Sequence, residues 1–184
     1  VLSLTIFGDL INGKFVKRSS ARSNDYIYVS GTIGDSALGL HCKKKAKVNI
    51  LKKHKEFLFN RYLKPNPRID LINYINKNAS ASTDISDGLY SDLDNICRAS
   101  NLGADINFNS VPLSNAARAI ITKYPKLNKL ILSGGDDYEV LFTGRDGLDR
   151  NKKITKIGKM KKGYNINITD FDDITNLDGY KHKF

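Results

Sequence analysis

The sequence predicts an α/β protein built mainly as one domain. Apolar runs of strand length alternate along the chain with helical patterns, an order typical of sheets covered by helices. The chain has 184 residues, of which 40% are apolar, and this is enough to bury a substantial core. The sequence contains no internal repeat and no low-complexity linker. We therefore expect helices packed on a sheet.

The first elements follow from apolar runs and from the residues that interrupt them. Residues 27–30 are typical of a strand, and a turn leads from it into a helix starting near Ser36. A helical pattern covers 47–63 and stops before Pro65, because proline cannot continue a helix. Residues 69–77 favour another short helix.

The second half of the chain continues the alternation. Apolar residues every three to four positions predict a helix at 87–100. The next predicted elements alternate in type: a strand at 104–108, a helix at 115–122 and a strand at 140–143. Residues 154–159 and 164–168 predict a closing hairpin across Gly163.

Three carboxylates and two glycines lie directly before the strand at 140–143. They are Gly134, Gly135, Asp136, Asp137 and Glu139. Glycine lets a ligand approach the backbone, and a buried strand holds such a loop still. A cluster of this kind serves Mg²⁺, a phosphorylated substrate or a cationic one. The alternative is an ordinary turn whose carboxylates are solvated.

A second acidic segment stands at the start of the helix at 87–100. Ser86 and Asp87 are expected at its N-terminus, where free backbone N–H groups and the helix dipole favour a phosphate oxygen. Asp84 and Asp87, on either side of the strand-to-helix turn, can share Mg²⁺, which takes oxygen ligands and keeps several waters. The alternative for Ser86 is a helix cap, because serine and aspartate cap helices well.

The chain is basic, with a net charge of +11 from 30 Lys and Arg against 19 Asp and Glu. Lysines are concentrated in two segments, 43–55 and 152–162. Neither segment has the interleaved aromatics or the motif of a nucleic-acid binder, so we expect no nucleic-acid partner. Cys42 and Cys97 predict no disulfide framework, and no run of 18 apolar residues occurs. These features predict a cytoplasmic protein that does not bind a membrane.

Several segments, in a fixed order, carry a resemblance to a known family. They are 18–22, 25–40, 65–68 (Pro-Asn-Pro-Arg), 84–89 (Asp-Ile-Ser-Asp-Gly-Leu), 91–93, 103–106, 134–142 (Gly-Gly-Asp-Asp-Tyr-Glu-Val-Leu-Phe) and 179–182 (Gly-Tyr-Lys-His). On these segments the chain resembles the thiamine-monophosphate kinases, in the superfamily of aminoimidazole ribonucleotide synthetase and selenophosphate synthetase. The Gly-Gly-Asp-Asp-Tyr-Glu block and the terminal Gly-Tyr-x-His are fairly specific to these kinases, whereas the Ser-Asp-Gly turn is shared more widely.

The resemblance implies a fold and an activity. The fold is an α/β/α sandwich with a mixed sheet, as in the superfamily's C-terminal domain. Residues 13–184 would be that domain, and residues 1–12 the last strand of a missing N-terminal domain that binds ATP and Mg²⁺. The implied activity is ATP-dependent phosphorylation of thiamine monophosphate to thiamine diphosphate. The alternative is a catalytically silent remnant or binding module with the same fold.

The resemblance also implies roles for individual residues. The roles are ATP binding for Arg18 and Ser86, Mg²⁺ binding for Asp84 and Asp87, and substrate binding for Asp136 and Tyr180. No general base is implied, because a substrate phosphate oxygen is already a competent nucleophile. The implied partners are ATP, thiamine monophosphate and the N-terminal half, on the same or a separate chain. The complete enzyme is expected to be a homodimer, and this chain alone is expected to be inactive.

Overall fold

One six-stranded sheet forms the centre of the protein. The structure, a computed structural model, describes residues 3–7, 10, 15–44, 48–171 and 177. The strands are β1 (Tyr26–Ser30), β2 (Ala79–Asp84), β3 (Gly103–Asn107), β4 (Val140–Gly144), β5 (Ile154–Lys161) and β6 (Ile166–Thr169). Their order is β2-β4-β1-β5-β3-β6. Neighbours are antiparallel except β3 and β6, which are parallel, so the sheet is mixed as expected.

Helices cover this sheet. They are α1 (Asp35–Lys44), α2 (Lys52–Leu63), α3 (Ile72–Asn78), α4 (Leu89–Ser100), α5 (Asn115–Lys123) and α6 (Lys129–Ser133). The helix expected at 47–63 begins only at Lys52, and the one expected at 69–77 begins as a 3-10 turn over Ile69–Leu71. In the described part of the chain, no helix is long and apolar enough to cross a membrane.

Apolar cores lie on both faces of the sheet. Successive strand residues point to opposite faces, so Ile27 and Val29 join the larger core under α1, α4, α5 and α6. Tyr28 points the other way and stacks on Phe142 with ring centroids 5.3 Å apart. This smaller core is closed by α3, through Ile75, and by the turn after β4. The α/β/α sandwich expected from the sequence is confirmed.

The closing hairpin predicted across Gly163 is wrong. β5 pairs with β1 and β3, while β6 passes beyond β5 and pairs in parallel with β3, with Ala104 opposite Ile166. Both edges of β5 are already occupied, so the open edge of β3 is the place where β6 can complete its backbone hydrogen bonds. Period-two alternation of apolar residues identifies a strand but does not determine which strand it pairs with, and this explains the error.

The sheet brings the two acidic segments to one place. At the last rung of the β2–β4 ladder, Asp84 lies opposite Val140. The chain leaves β2 and enters β4 at this same end of the sheet, because the two strands are antiparallel. The segments 84–88 and 134–139 are therefore neighbours, although about fifty residues separate them in sequence.

Candidate functional site

Backbone hydrogen bonds join the two acidic segments into one unit. The Ile85 N–H donates to the Glu139 carbonyl (2.8 Å), and the Tyr138 N–H donates to the Ile85 carbonyl (2.9 Å). The Asp136 N–H donates to the Ser86 carbonyl (2.9 Å). A Cβ at Gly135 would lie 2.2 Å from the Ser86 oxygen, so this close approach requires glycine. The carboxylates on the two segments are thus held in a fixed relation.

Three of these carboxylates act electrostatically on Tyr138. Burial raises the pKa of the Tyr138 phenol, and the negative charges of Asp136, Asp84 and Asp87 raise it further. Tyr138 is 41% exposed, and its backbone φ of 51° is unusual for a bulky residue. Tyr138 lies in the Gly-Gly-Asp-Asp-Tyr-Glu block but was not among the predicted site residues. Its position marks a negatively charged, partly aromatic surface.

Arg18 reaches this surface from a 3-10 turn before β1. Its Nε donates to the Thr83 hydroxyl (3.0 Å), and Nη2 lies 3.8 Å from an Asp84 carboxylate oxygen. The turn is anchored because the Ser100 hydroxyl donates to the Arg18 carbonyl and accepts from the Ala21 N–H. More than half of the Arg18 side chain remains exposed, so its guanidinium is open to an incoming anion.

The expectation of free N–H groups at Ser86 and Asp87 is wrong. Helix α4 starts at Leu89 after Gly88, two residues later than predicted. The backbone N–H groups of Ser86 and Asp87 both donate to Asp92 Oδ2 (3.0 Å each), and Asp92 is 2% exposed. This internal carboxylate takes the place that a ligand phosphate was expected to fill. Ser86 can still contact a phosphate through its hydroxyl.

Asp137 is a structural residue, which corrects the prediction of three ligand-facing carboxylates. It is fully buried and accepts hydrogen bonds from the N–H groups of Gly34 (2.5 Å) and Ser36 (3.1 Å), at the start of α1. Burial raises its pKa to about 7, against the lowering effect of these two hydrogen bonds. Asp137 fixes the acidic loop to the first turn of α1.

Glu139 also turns inward. It accepts a hydrogen bond from the Ser30 hydroxyl (2.5 Å) and pairs with Arg61 Nη2 (2.9 Å) and Arg68 Nε (3.3 Å). Extending the alternation of β4 backwards puts 137 and 139 on the same side as buried Leu141, a signal that the sequence already contained. Of the three carboxylates in this loop, only Asp136 faces outward.

Asp84 and Asp87 suit a hard cation by the chemistry of their oxygens. Asp84 is about half exposed, and both carboxylates are close enough to Tyr138 to act on its pKa. Among the described residues, no group of three or more His, Cys, Asp or Glu is arranged to hold a metal. Two carboxylates leave the other positions of an Mg²⁺ octahedron to water and phosphate oxygens, which is how Mg²⁺ is commonly bound. Tyr180 lies outside the described residues.

Comparison with known proteins identifies the domain. Residues 22–149 match the family described as AIR synthase related protein, C-terminal domain. The chain belongs to this family. Hydrogenase maturation protein HypE, at 16% identity and a TM-score of 0.58, shares the AIR synthase-related fold alone.

Within this family, thiamine-monophosphate kinases are similar in sequence and structure. The kinase of Buchnera aphidicola subsp. Acyrthosiphon pisum is 36% identical over 182 residues, covering 96% of this chain and 53% of that protein. The kinase of Aquifex aeolicus is 36% identical over 158 residues, covering 83% of this chain and 50% of that protein. A solved structure, AaThiL complexed with AMPPCP and TMP, has 34% identity and a TM-score of 0.80, covering 92% of this chain and 55% of that one. This chain therefore spans about half the length of these relatives. The resemblance to thiamine-monophosphate kinases that the sequence predicted is confirmed.

Proposed function

We propose that this chain is the C-terminal part of a thiamine-monophosphate kinase, which transfers the ATP γ-phosphoryl group to thiamine monophosphate and gives thiamine diphosphate. One observation carries the proposal. The Asp84–Asp87 turn and the Asp136 loop form one hydrogen-bonded unit, with Arg18 beside it. A similar solved structure is a complex with AMPPCP and TMP, and this supports the proposal. We also infer a cytoplasmic setting, where ATP is available.

The outward-facing residues have roles that fit this reaction. Arg18 would bind ATP phosphates, since a guanidinium fork matches phosphate oxygens, and the Ser86 hydroxyl would add a further contact. Asp84 and Asp87 would hold Mg²⁺, which neutralises phosphate charge during the transfer. If Asp84 held the metal, Arg18 would be free to exchange its contact with Asp84 for phosphate oxygens.

The acceptor side fits a cationic substrate. The negative charges of Asp136, Asp84 and Asp87 all raise the pKa of Tyr138, and such negatively charged surroundings favour a cation such as the thiazolium of thiamine. Tyr180, which lies outside the described residues, stays a predicted contact of the substrate. Since the acceptor is a phosphate oxygen, the protein mainly has to align the two substrates and neutralise their charge.

We further propose that activity requires the polypeptide corresponding to the other half of the relatives, on the same or a separate chain, in a homodimeric complete enzyme. Residues 1–12 would form the last strand of that N-terminal domain. Leu4, Ile6 and Phe7 are 84%, 80% and 91% exposed, and an apolar segment of this kind is suited to packing against another domain.

The test is the formation of thiamine diphosphate by the 184-residue chain with ATP and Mg²⁺, alone and after addition of a separately expressed N-terminal half of a relative. We expect no turnover alone and activity with the added half. Asp84→Asn with Asp87→Asn should abolish the restored activity. Asp94→Asn, which lies in the following helix α4 and pairs with Arg98, should not. Turnover by the chain alone would refute the requirement for a second half. Absence of any rescue would favour the silent-remnant alternative.

A further inference from the structure

A second cleft lies at the opposite end of strands β2 and β4. It has a volume of about 940 Å³ and is formed by α3 on one side and by the connection between β4 and β5 on the other. The candidate site lies where Asp84 faces Val140, whereas this cleft adjoins the rung where Ala79 faces Gly144. A six-residue strand spans roughly 17 Å, so the two places are distinct.

The lining of the cleft has more unpaired positive charges than unpaired negative charges. Its two acids are each bound by a lysine: Lys153 Nζ lies 2.6 Å from Asp70 and Lys156 Nζ lies 2.8 Å from Asp146. These lysine hydrogen bonds are the main reason that the pKa of each acid is lowered, so both acids stay ionised and paired. The lysine-rich segment at 152–162 thus neutralises the acids of the cleft.

Three cations of the lining are left over. They are Lys77, Arg145 and Arg150, all exposed, and none of them takes part in an ion pair among the described residues. The neighbouring Asp149 is exposed and is not part of the lining. The cleft therefore presents an excess of positive charge.

The loop that carries the two arginines is held in place. The buried Tyr28 donates its hydroxyl to the Arg145 carbonyl (2.7 Å), and Tyr74 donates to the Leu148 carbonyl (2.8 Å). The buried Leu148 side chain packs in the smaller core. A fixed backbone lowers the entropy that the arginines lose when they bind a ligand.

We propose that this cleft binds a phosphorylated small molecule. Two guanidinium forks and one ammonium group match the donors that phosphate oxygens accept, and the side chain of Asn73 adds a possible amide donor. A volume of about 940 Å³ admits a ligand of nucleotide size. Nothing in the proposed kinase reaction uses these residues, so the site is separate from that proposal.

The test uses inorganic pyrophosphate without Mg²⁺, titrated into the 184-residue chain at fixed low ionic strength and followed by calorimetry and amide NMR shifts. We expect shifts in residues 73–78 and 145–151, and an affinity reduced at least tenfold in the double variant Arg145→Gln, Arg150→Gln. The double variant Arg118→Gln, Lys123→Gln, which removes the same charge from exposed positions of α5, should keep the affinity within about twofold. Thermal unfolding confirms that all variants are folded.

Two results of the pyrophosphate titration would overturn the proposal. One is an equal loss of affinity in both double variants, which would show attraction by net charge alone. The other is a set of shifts confined to the region of Arg18 and Asp84. A single-stranded oligonucleotide serves as the second ligand: if it binds through Arg145 and Arg150 while pyrophosphate does not, the small-molecule assignment is wrong.

Discussion

Asp137→Asn should change how the stability of the protein depends on pH. The wild-type carboxylate accepts two backbone hydrogen bonds, from Gly34 and Ser36, in a fully buried position. Asparagine keeps one acceptor oxygen but turns an amide donor towards one of these N–H groups. The variant therefore loses a hydrogen bond at every pH, and it also loses the titration of a buried acid.

The magnitude follows from the raised pKa of Asp137, about 7 in the folded protein against an ordinary value of 3.8. Below the lower value both folded and unfolded states hold the proton, and between the two values only the folded state holds it. Stability therefore falls as pH rises through this window and levels off above the folded pKa. The full effect is about 4 kcal/mol, of which about 3 kcal/mol falls between about pH 5 and about pH 8. Asp35, itself buried with a raised pKa, adds to the rise of the Asp137 pKa through its negative charge.

The assay is urea unfolding of wild type and variant at several pH values in that range. The free energy of unfolding of the wild type, minus that of Asp137→Asn, should decrease by about 3 kcal/mol from about pH 5 to about pH 8. The control Asp149→Asn removes an exposed carboxylate and should give a flat difference. A difference between wild type and Asp137→Asn that stays constant within about 0.5 kcal/mol would refute the reasoning, because it would mean that burial does not hold a proton on Asp137.

Three further substitutions test the site. Asp92→Ala leaves two partly buried backbone N–H groups without their acceptor and should lower the free energy of unfolding by about 2 kcal/mol in urea titrations. Asp92→Asn should be less costly, and a change below about 0.5 kcal/mol for Asp92→Ala would argue against its role. Glu139→Ala removes the carboxylate nearest to two largely buried guanidinium groups, those of Arg61 and Arg68, and should cost about 3 kcal/mol. The exposed Glu56→Ala should cost under about 1 kcal/mol, and similar losses in the two variants would contradict this. Asp136→Asn, tested in a complete enzyme, should not strain the backbone, because asparagine tolerates the φ of 68° at this position. The variant should raise the KM for thiamine monophosphate and leave the KM for ATP nearly unchanged. Equal rises in the two KM values would contradict the assignment of Asp136 to the substrate.

Local patterns in the sequence predict where the strands lie and which segments carry the site. The strand at 140–144 and the acidic residues before it are adjacent in the chain, so local reasoning is enough to associate them. The partner of β6 could not be predicted in this way, because it depends on which sheet edge is still open after all other strands have paired. The short helix α6 and strand β2, rich in alanine and serine, also lack a strong pattern of their own.

The direction of each carboxylate depended on partners far away in the sequence. Asp137 is bound by Gly34, 103 positions earlier, and Glu139 by Ser30, 109 positions earlier. Asp92 could have been proposed as a cap for the preceding turn, but the expected helix start at Asp87 placed the free N–H groups two residues too early. The three carboxylates of this motif thus include two that build the loop and one, Asp136, that faces outward.

The three backbone bonds that extend the β2–β4 ladder past Asp84 have a kinetic consequence. The residues proposed for the nucleotide and those proposed for the acceptor share one rigid segment, so neither ligand has to create the binding surface of the other. Occupation of one side should leave the intrinsic affinity of the other nearly unchanged apart from direct charge effects. Within this domain, the two substrates would then add in either order, and any obligatory sequence of binding would have to arise from closure against another domain.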